Sequence, residues 1–100
     1  MIKVTINKKG NNIDKIIITG HANYAEYGKD IVCAAVSATV LTTINGIIAI
    51  DNSILEVLQQ GNMIINIKKI EDISQKLINN MINCLNDIAI EYPKNIKIEI

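Results

Sequence analysis

Ile31-Val32-Cys33-Ala34-Ala35-Val36-Ser37-Ala38-Thr39-Val40-Leu41-Thr42-Thr43-Ile44-Asn45-Gly46-Ile47-Ile48 is the stretch that decides the fold. No proline interrupts it. It is too long for one strand and apolar nearly all round, which suits a buried helix. Asp30, just ahead of it, is a good N-cap residue, because a short acidic side chain can accept from the first free amides of a helix. Outward from this helix the pattern changes. Toward the N-terminus, Ile2, Val4 and Ile6 alternate with Lys3, Thr5 and Asn7, the period of a half-buried strand. Lys8-Lys9-Gly10-Asn11-Asn12 is a turn cluster, and residues 13–19, with Ile16 and Ile18 on one face, complete a hairpin. The polar stretch from His21 to Asp30 joins that hairpin to the helix and is expected to be a loop.

Toward the C-terminus, Ile54–Leu58 and Met63–Lys68 read as a second hairpin joined through Gln59-Gln60-Gly61-Asn62. Ile73, Leu77, Met81, Leu85, Ile88 and Tyr92 recur every three or four positions and predict an amphipathic helix from about Asp72 to Glu91, ended by Pro93. Ile96, Ile98 and Ile100 alternate as a last strand. The expected fold is therefore α+β: a small mixed or antiparallel sheet of four to five strands with two long helices packed on one face. The 100 residues suit one domain spanning 1–100. One sheet face is left for solvent or a second subunit, and the first helix is more uniformly apolar than one small subunit needs. Both point to a homodimer.

Composition removes several function classes. Ten basic residues, all lysine, balance ten acidic ones, and arginine is absent. Such a chain lacks the basic footprint of a nucleic-acid binder and the planar fork that grips phosphate. No apolar run is expected to approach the ~20 residues that span a bilayer. The first six residues do not resemble a signal peptide, so a cytoplasmic protein is expected. Cys33 and Cys84 would then stay reduced. With one histidine and no Cys-x-x-Cys, neither structural zinc nor any other cofactor is expected.

The chemistry that remains lies around the apolar helix. If Asp30 is its N-cap, Cys33 is the third helical residue, among free N–H groups and the positive end of the helix dipole. Both favour the thiolate, which is the nucleophile. His21, at the end of the second strand, can be brought back onto Cys33 by the loop, to act as acid and base. The first-turn amides, that of Cys33 included, are candidate oxyanion donors. Asp30 is one candidate to orient His21, although its cap role competes and its charge would partly oppose a thiolate. Ser37, one turn after Cys33, is another. The plain alternatives are a packing cysteine, a surface histidine and a simple cap. Cys84, between Met81 and Leu85, is expected to be a packing residue.

Gly20-His21-Ala22, five residues, then Gly28-Lys29-Asp30-Ile31-Val32-Cys33-Ala34-Ala35-Val36-Ser37 resembles the signature of the ribosomal-processing cysteine protease family, Prp. The resemblance extends more loosely to the N-terminal hairpin, to Tyr92-Pro93 and to the last strand. It implies a dimeric cysteine endopeptidase with Cys33 as nucleophile and His21 as its partner. The implied substrate is the precursor of the bacterial large-subunit ribosomal protein number twenty-seven, whose N-terminal extension is removed. Asn23 stands where similar sequences often carry glycine, and asparagine tolerates left-handed backbone angles. The loop holds Tyr24 and Tyr27 beside Gly28. It is a candidate lid and substrate-binding segment, with tyrosines that either touch a peptide or pack the loop down. The rival functions are a non-catalytic ribosome-associated or regulatory binding module and a small-ligand-binding α+β domain.

Overall fold

The computed structural model describes residues 1–26 and 28–100. Strands β1 (Ile2–Lys9) and β2 (Asn12–Thr19) form the first hairpin, and helix α1 (Ile31–Ile50) follows. Strands β3 (Leu55–Gln60) and β4 (Asn62–Ile67) form the second hairpin, and helix α2 (Asp72–Glu91) leads to β5 (Ile96–Glu99). The five strands lie in the order β3-β4-β2-β1-β5. All neighbours are antiparallel except β1 and β5, so the sheet is mixed.

Period-two alternation fixes which side chains point toward the helices. Val4 stands opposite Ile18 and Ile98, and Ile18 stands opposite Met63, giving one inward row. Ile6, Ile16, Ile65 and Val57 make the next. These rows and the inner faces of both helices form one continuous core. Each fully buried isoleucine in it contributes about 1.5–3 kcal/mol. The opposite sheet face carries Thr5, Ile17, Ile64 and Leu58 in register, less buried than the core rows.

Three expectations need correction. First, α1 is 20 residues long, and an 18-residue window within it reaches a mean hydropathy of 2.0. By length and composition alone it could cross a membrane. Here Val32, Val36, Val40, Ile44 and Ile47 pack into the core, while Ile31, Leu41, Ile48 and Ile50 are exposed.

Second, the inner face of α2 is rotated from the expected stripe. Ser74, Gln75, Ile78, Met81, Ile82 and Leu85 are buried, whereas Ile73 and Leu77 are exposed. Gln75 accounts for the rotation. A register shift in the β1–β2 hairpin lies beside Ile13. The Gln75 side chain accepts from the Ile13 N–H at 2.9 Å and donates to its carbonyl at 2.8 Å. A buried amide that satisfies two backbone groups is as much at home in the core as a hydrocarbon. Third, Cys84 is exposed, not a packing residue, because it sits just off the buried face.

Candidate active site

Asp30 organises the entrance to α1. Its backbone is extended, at φ −83° and ψ 101°, as an N-cap requires. Oδ1 accepts from the N–H groups of Val32 and Cys33, both at 3.0 Å. The Asp30 carbonyl accepts the Ala34 N–H at 3.1 Å. Of the first-turn amides that were candidate oxyanion donors, those of Val32, Cys33 and Ala34 are thus already committed to Asp30. Oδ2 turns the other way and accepts from Tyr24 at 3.0 Å and Ala25 at 3.3 Å. One carboxylate therefore caps the helix and gathers the preceding loop. The Cys33 N–H, with those of Tyr24, Ala25 and Val32, holds the Asp30 carboxyl below its ordinary range, partly opposed by desolvation. Among the described residues, none of its hydrogen bonds goes to His21.

The loop starts at Gly20. Its φ is +81°, and a Cβ built there would stand 2.3 Å from the Met1 carbonyl oxygen, so only glycine fits. Asn23 adopts φ +55°, a left-handed conformation that asparagine tolerates. Between them, Ala22 donates its N–H to Cys33 Sγ at 3.4 Å. This bond ties the His21 segment to the cysteine. Cys33 is free and half-buried.

Cys33 and His21 line one open cavity of about 620 Å³. Asp30 and Ser37 line it too, as do the loop residues Asn23, Ala25 and Gly28. Its apolar floor includes Ile2, Ile18 and Val36, and its far wall is the tip of the second hairpin, Gln59, Gly61 and Met63. The hairpin wall was not anticipated. It arises because β4 pairs with β2, which sets Met63 opposite Ile18. The turn sequence Gln59-Gln60-Gly61-Asn62 carries no sign of that placement.

Tyr24 points elsewhere. Its ring meets that of Tyr92 edge-on, with centroids 5.4 Å apart, and it is 48% exposed. It is absent from the described lining of the cavity, which fits the packing alternative. Tyr27 lies outside the described residues.

The sheet backed by two helices carries a free thiol and a histidine on one open cavity, the groups that a cysteine peptidase would use. The sequence profile described as cysteine protease Prp matches residues 1–97. The chain belongs to this family, which sets aside the non-catalytic alternatives. It is 32% identical over 101 residues to the ribosomal processing cysteine protease Prp of Staphylococcus aureus, covering 97% of this chain and 94% of that one. It superposes on the S. aureus Prp crystal structure with a covalently linked product peptide at a TM-score of 0.92, with 31% identity over 99% of this chain and 98% of that one. The S. aureus structure with a substrate peptide matches at a TM-score of 0.78, with 28% identity over 98% and 95% of the two chains.

Proposed function

We propose that this protease removes the N-terminal extension of the bacterial large-subunit ribosomal protein number twenty-seven, with Cys33 as nucleophile and His21 as acid and base. The observation that carries the reading is the placing of Cys33 Sγ on an open cavity shared with His21, with a backbone N–H already directed at the sulfur.

In this mechanism His21 takes the thiol proton, and Cys33 Sγ attacks the scissile carbonyl carbon. The tetrahedral intermediate collapses, the C–N bond breaks, and His21 returns the proton to the leaving amine. The extension is left as a thioester on Cys33. Neutral His21 then takes a proton from water, the hydroxide oxygen attacks the thioester, and the C–S bond breaks. A carboxylic acid and the starting enzyme are released. Asp30 occupies the amides of Val32, Cys33 and Ala34, so these three are not the donors on which the oxyanion draws. Asp30 supports the site by fixing helix and loop together. Ser37 is a hydrogen-bond donor one turn beyond the nucleophile. Asn23, Ala25 and Gly28 offer one wall to the peptide, and the second hairpin offers the other.

The protease acts in the cytoplasm, where ribosomal proteins are made. It works as a homodimer, supported by the exposed Ile31, Leu41, Ile48 and Ile50: only 28% of the most apolar window of α1 is buried within one subunit. The test is incubation with a peptide spanning the extension and the mature N-terminus. The wild type cleaves it and Cys33→Ala does not. A folded wild type that leaves the peptide intact overturns the reading.

A further inference from the structure

Ala22 is held by a residue that the mechanism above does not use. Its N–H donates to Cys33 Sγ at 3.4 Å, and its carbonyl accepts from Asn95 Nδ2 at 2.9 Å. Ala22 itself is only 1% exposed, so its N–H and carbonyl are shielded from bulk water on its own side of each bond. Asn95 lies in the short connection between α2 and β5, 73 positions along the chain from Ala22. Its backbone is independently secured. Its N–H donates to the Tyr92 carbonyl at 3.0 Å, and its carbonyl accepts from the Ile2 N–H at 2.8 Å. The ring of Tyr92, in the same connection, meets that of Tyr24 edge-on. The segment carrying His21 is therefore fastened at Ala22 by Asn95, at Tyr24 by Tyr92, and at Tyr24 and Ala25 by Asp30.

An N–H bonded to an anion is roughly twice as strong as one bonded to a neutral acceptor. An amide aimed at Sγ therefore favours thiolate over thiol, but only while it stays aimed. We infer that Asn95 is a positioning residue for the nucleophile: by holding the Ala22 carbonyl, its side-chain amide keeps the Ala22 N–H directed at Cys33 Sγ. The inference rests on Cys33 being the nucleophile. Asn95 is not among the residues lining the cavity, and its side chain acts through Ala22.

The test uses the full chain with Cys84→Ser, which leaves Cys33 as the one thiol. Asn95→Ala removes the donor. Asn95→Asp keeps the shape but presents a carboxylate that cannot donate. Both keep the backbone bonds to Tyr92 and Ile2. Each folded variant should alkylate with iodoacetamide about fivefold more slowly near neutral pH, the loss of one modest hydrogen bond. The rate–pH profile should move to higher pH, and the plateau at alkaline pH should stay unchanged. Peptide cleavage should lose kcat by a similar factor, with KM within about twofold. A merely structural role would lower the unfolding temperature and leave the profile in place. A profile that superimposes on the parent's, in either folded variant, overturns the inference. Slow alkylation of the Cys84→Ser parent itself would count instead against the dyad.

Discussion

α1 and α2 are alike in outline. Each has 20 residues, an acidic N-cap and one free cysteine. Their surroundings separate them. Asp30 caps α1 with one oxygen and gathers the loop with the other, whereas Glu71 accepts from Ser74 within its own helix. Cys33 stands in the first turn of α1, beside a cavity, with the Ala22 N–H directed at it. Cys84 stands in the middle of α2, exposed to solvent. A cap and a cysteine do not make a reactive helix end. What separates the two in structure is the loop that folds back to α1 and sets Ala22 against Cys33 and His21 on the same cavity.

The largest expected effect separates the two thiols. Cys33→Ala should lower kcat on the extended peptide by at least about a thousandfold, as removing the nucleophile does in related peptidase chemistry. Cys84→Ala should leave it within about twofold, since the thiol lies outside the mechanism. Near neutral pH, iodoacetamide should label Cys33 well before Cys84, as peptide mapping would show. Equal labelling would erase the distinction between the two helix environments.

The next contrast concerns what each helix faces. Leu85 of α2 is 0% exposed, so Leu85→Ala should cost about 3 kcal/mol in denaturant unfolding. Gln75→Ala strands the buried Ile13 N–H and carbonyl and should cost roughly 2–3 kcal/mol. Leu41 of α1 is 44% exposed, and Leu41→Ala should change subunit stability by no more than about 0.5 kcal/mol. Its effect should fall instead on self-association, measured by sedimentation. A Leu41→Ala chain that unfolds as easily as Leu85→Ala, with unchanged association, would show that both helix faces do the same work.

A smaller contrast tests the loop against an ordinary turn. Gly61 has φ +80° with open space around it, so Gly61→Ala should cost about 1 kcal/mol from backbone conformation alone. Gly20→Ala adds a clash with the Met1 carbonyl and should cost roughly 2 kcal/mol, together with slower Cys33 alkylation. Equal costs would mean that the Met1 contact yields easily and does not hold the loop.

The parts of the molecule written in local sequence were legible in it. Alternation in residues 2–7 and 96–100, the two hairpins, the long helices and the Asp30 cap follow from periodicity and capping chemistry. The left-handed Asn23 was compatible with the glycine that similar sequences often carry there, and no periodicity marked it. Contacts between distant segments were not legible. The order β3-β4-β2-β1-β5, which brings Met63 beside Ile18 and the second hairpin to the cavity, has no local signal. Gln75 looks polar and surface-bound until the irregular strand opposite it is known, so the buried face of α2 was placed off centre. Asn95 and Ala22 are far apart in the chain, and neither residue type announces the bond between them. The exposed apolar side of α1 is visible as hydropathy, but its uncovered extent needed the packing.

The finest distinction between the helices lies in acid. Backbone N–H groups, chiefly Cys33 for Asp30 and Ser74 for Glu71, hold both cap carboxyls below their ordinary ranges. The sign follows from linkage. Each group binds its proton more readily in the unfolded chain, so acidification favours unfolding. Its contribution is complete above the unfolded carboxyl value, about 4, and disappears as pH falls through the lower folded value. Asp30→Asn and Glu71→Gln should therefore both flatten the loss of stability as pH falls from about 5 through the carboxyl range. They should differ at the loop. Asparagine can still cap α1 through its amide oxygen, but the group replacing Oδ2 cannot accept from Tyr24 and Ala25. Hydrogen exchange at those two amides should accelerate in Asp30→Asn and stay unchanged in Glu71→Gln. If the Tyr24 and Ala25 amides exchange at the same rate in both variants, Asp30 is no more than a helix cap, and the loop owes its shape to Gly20, Asn95 and Tyr92.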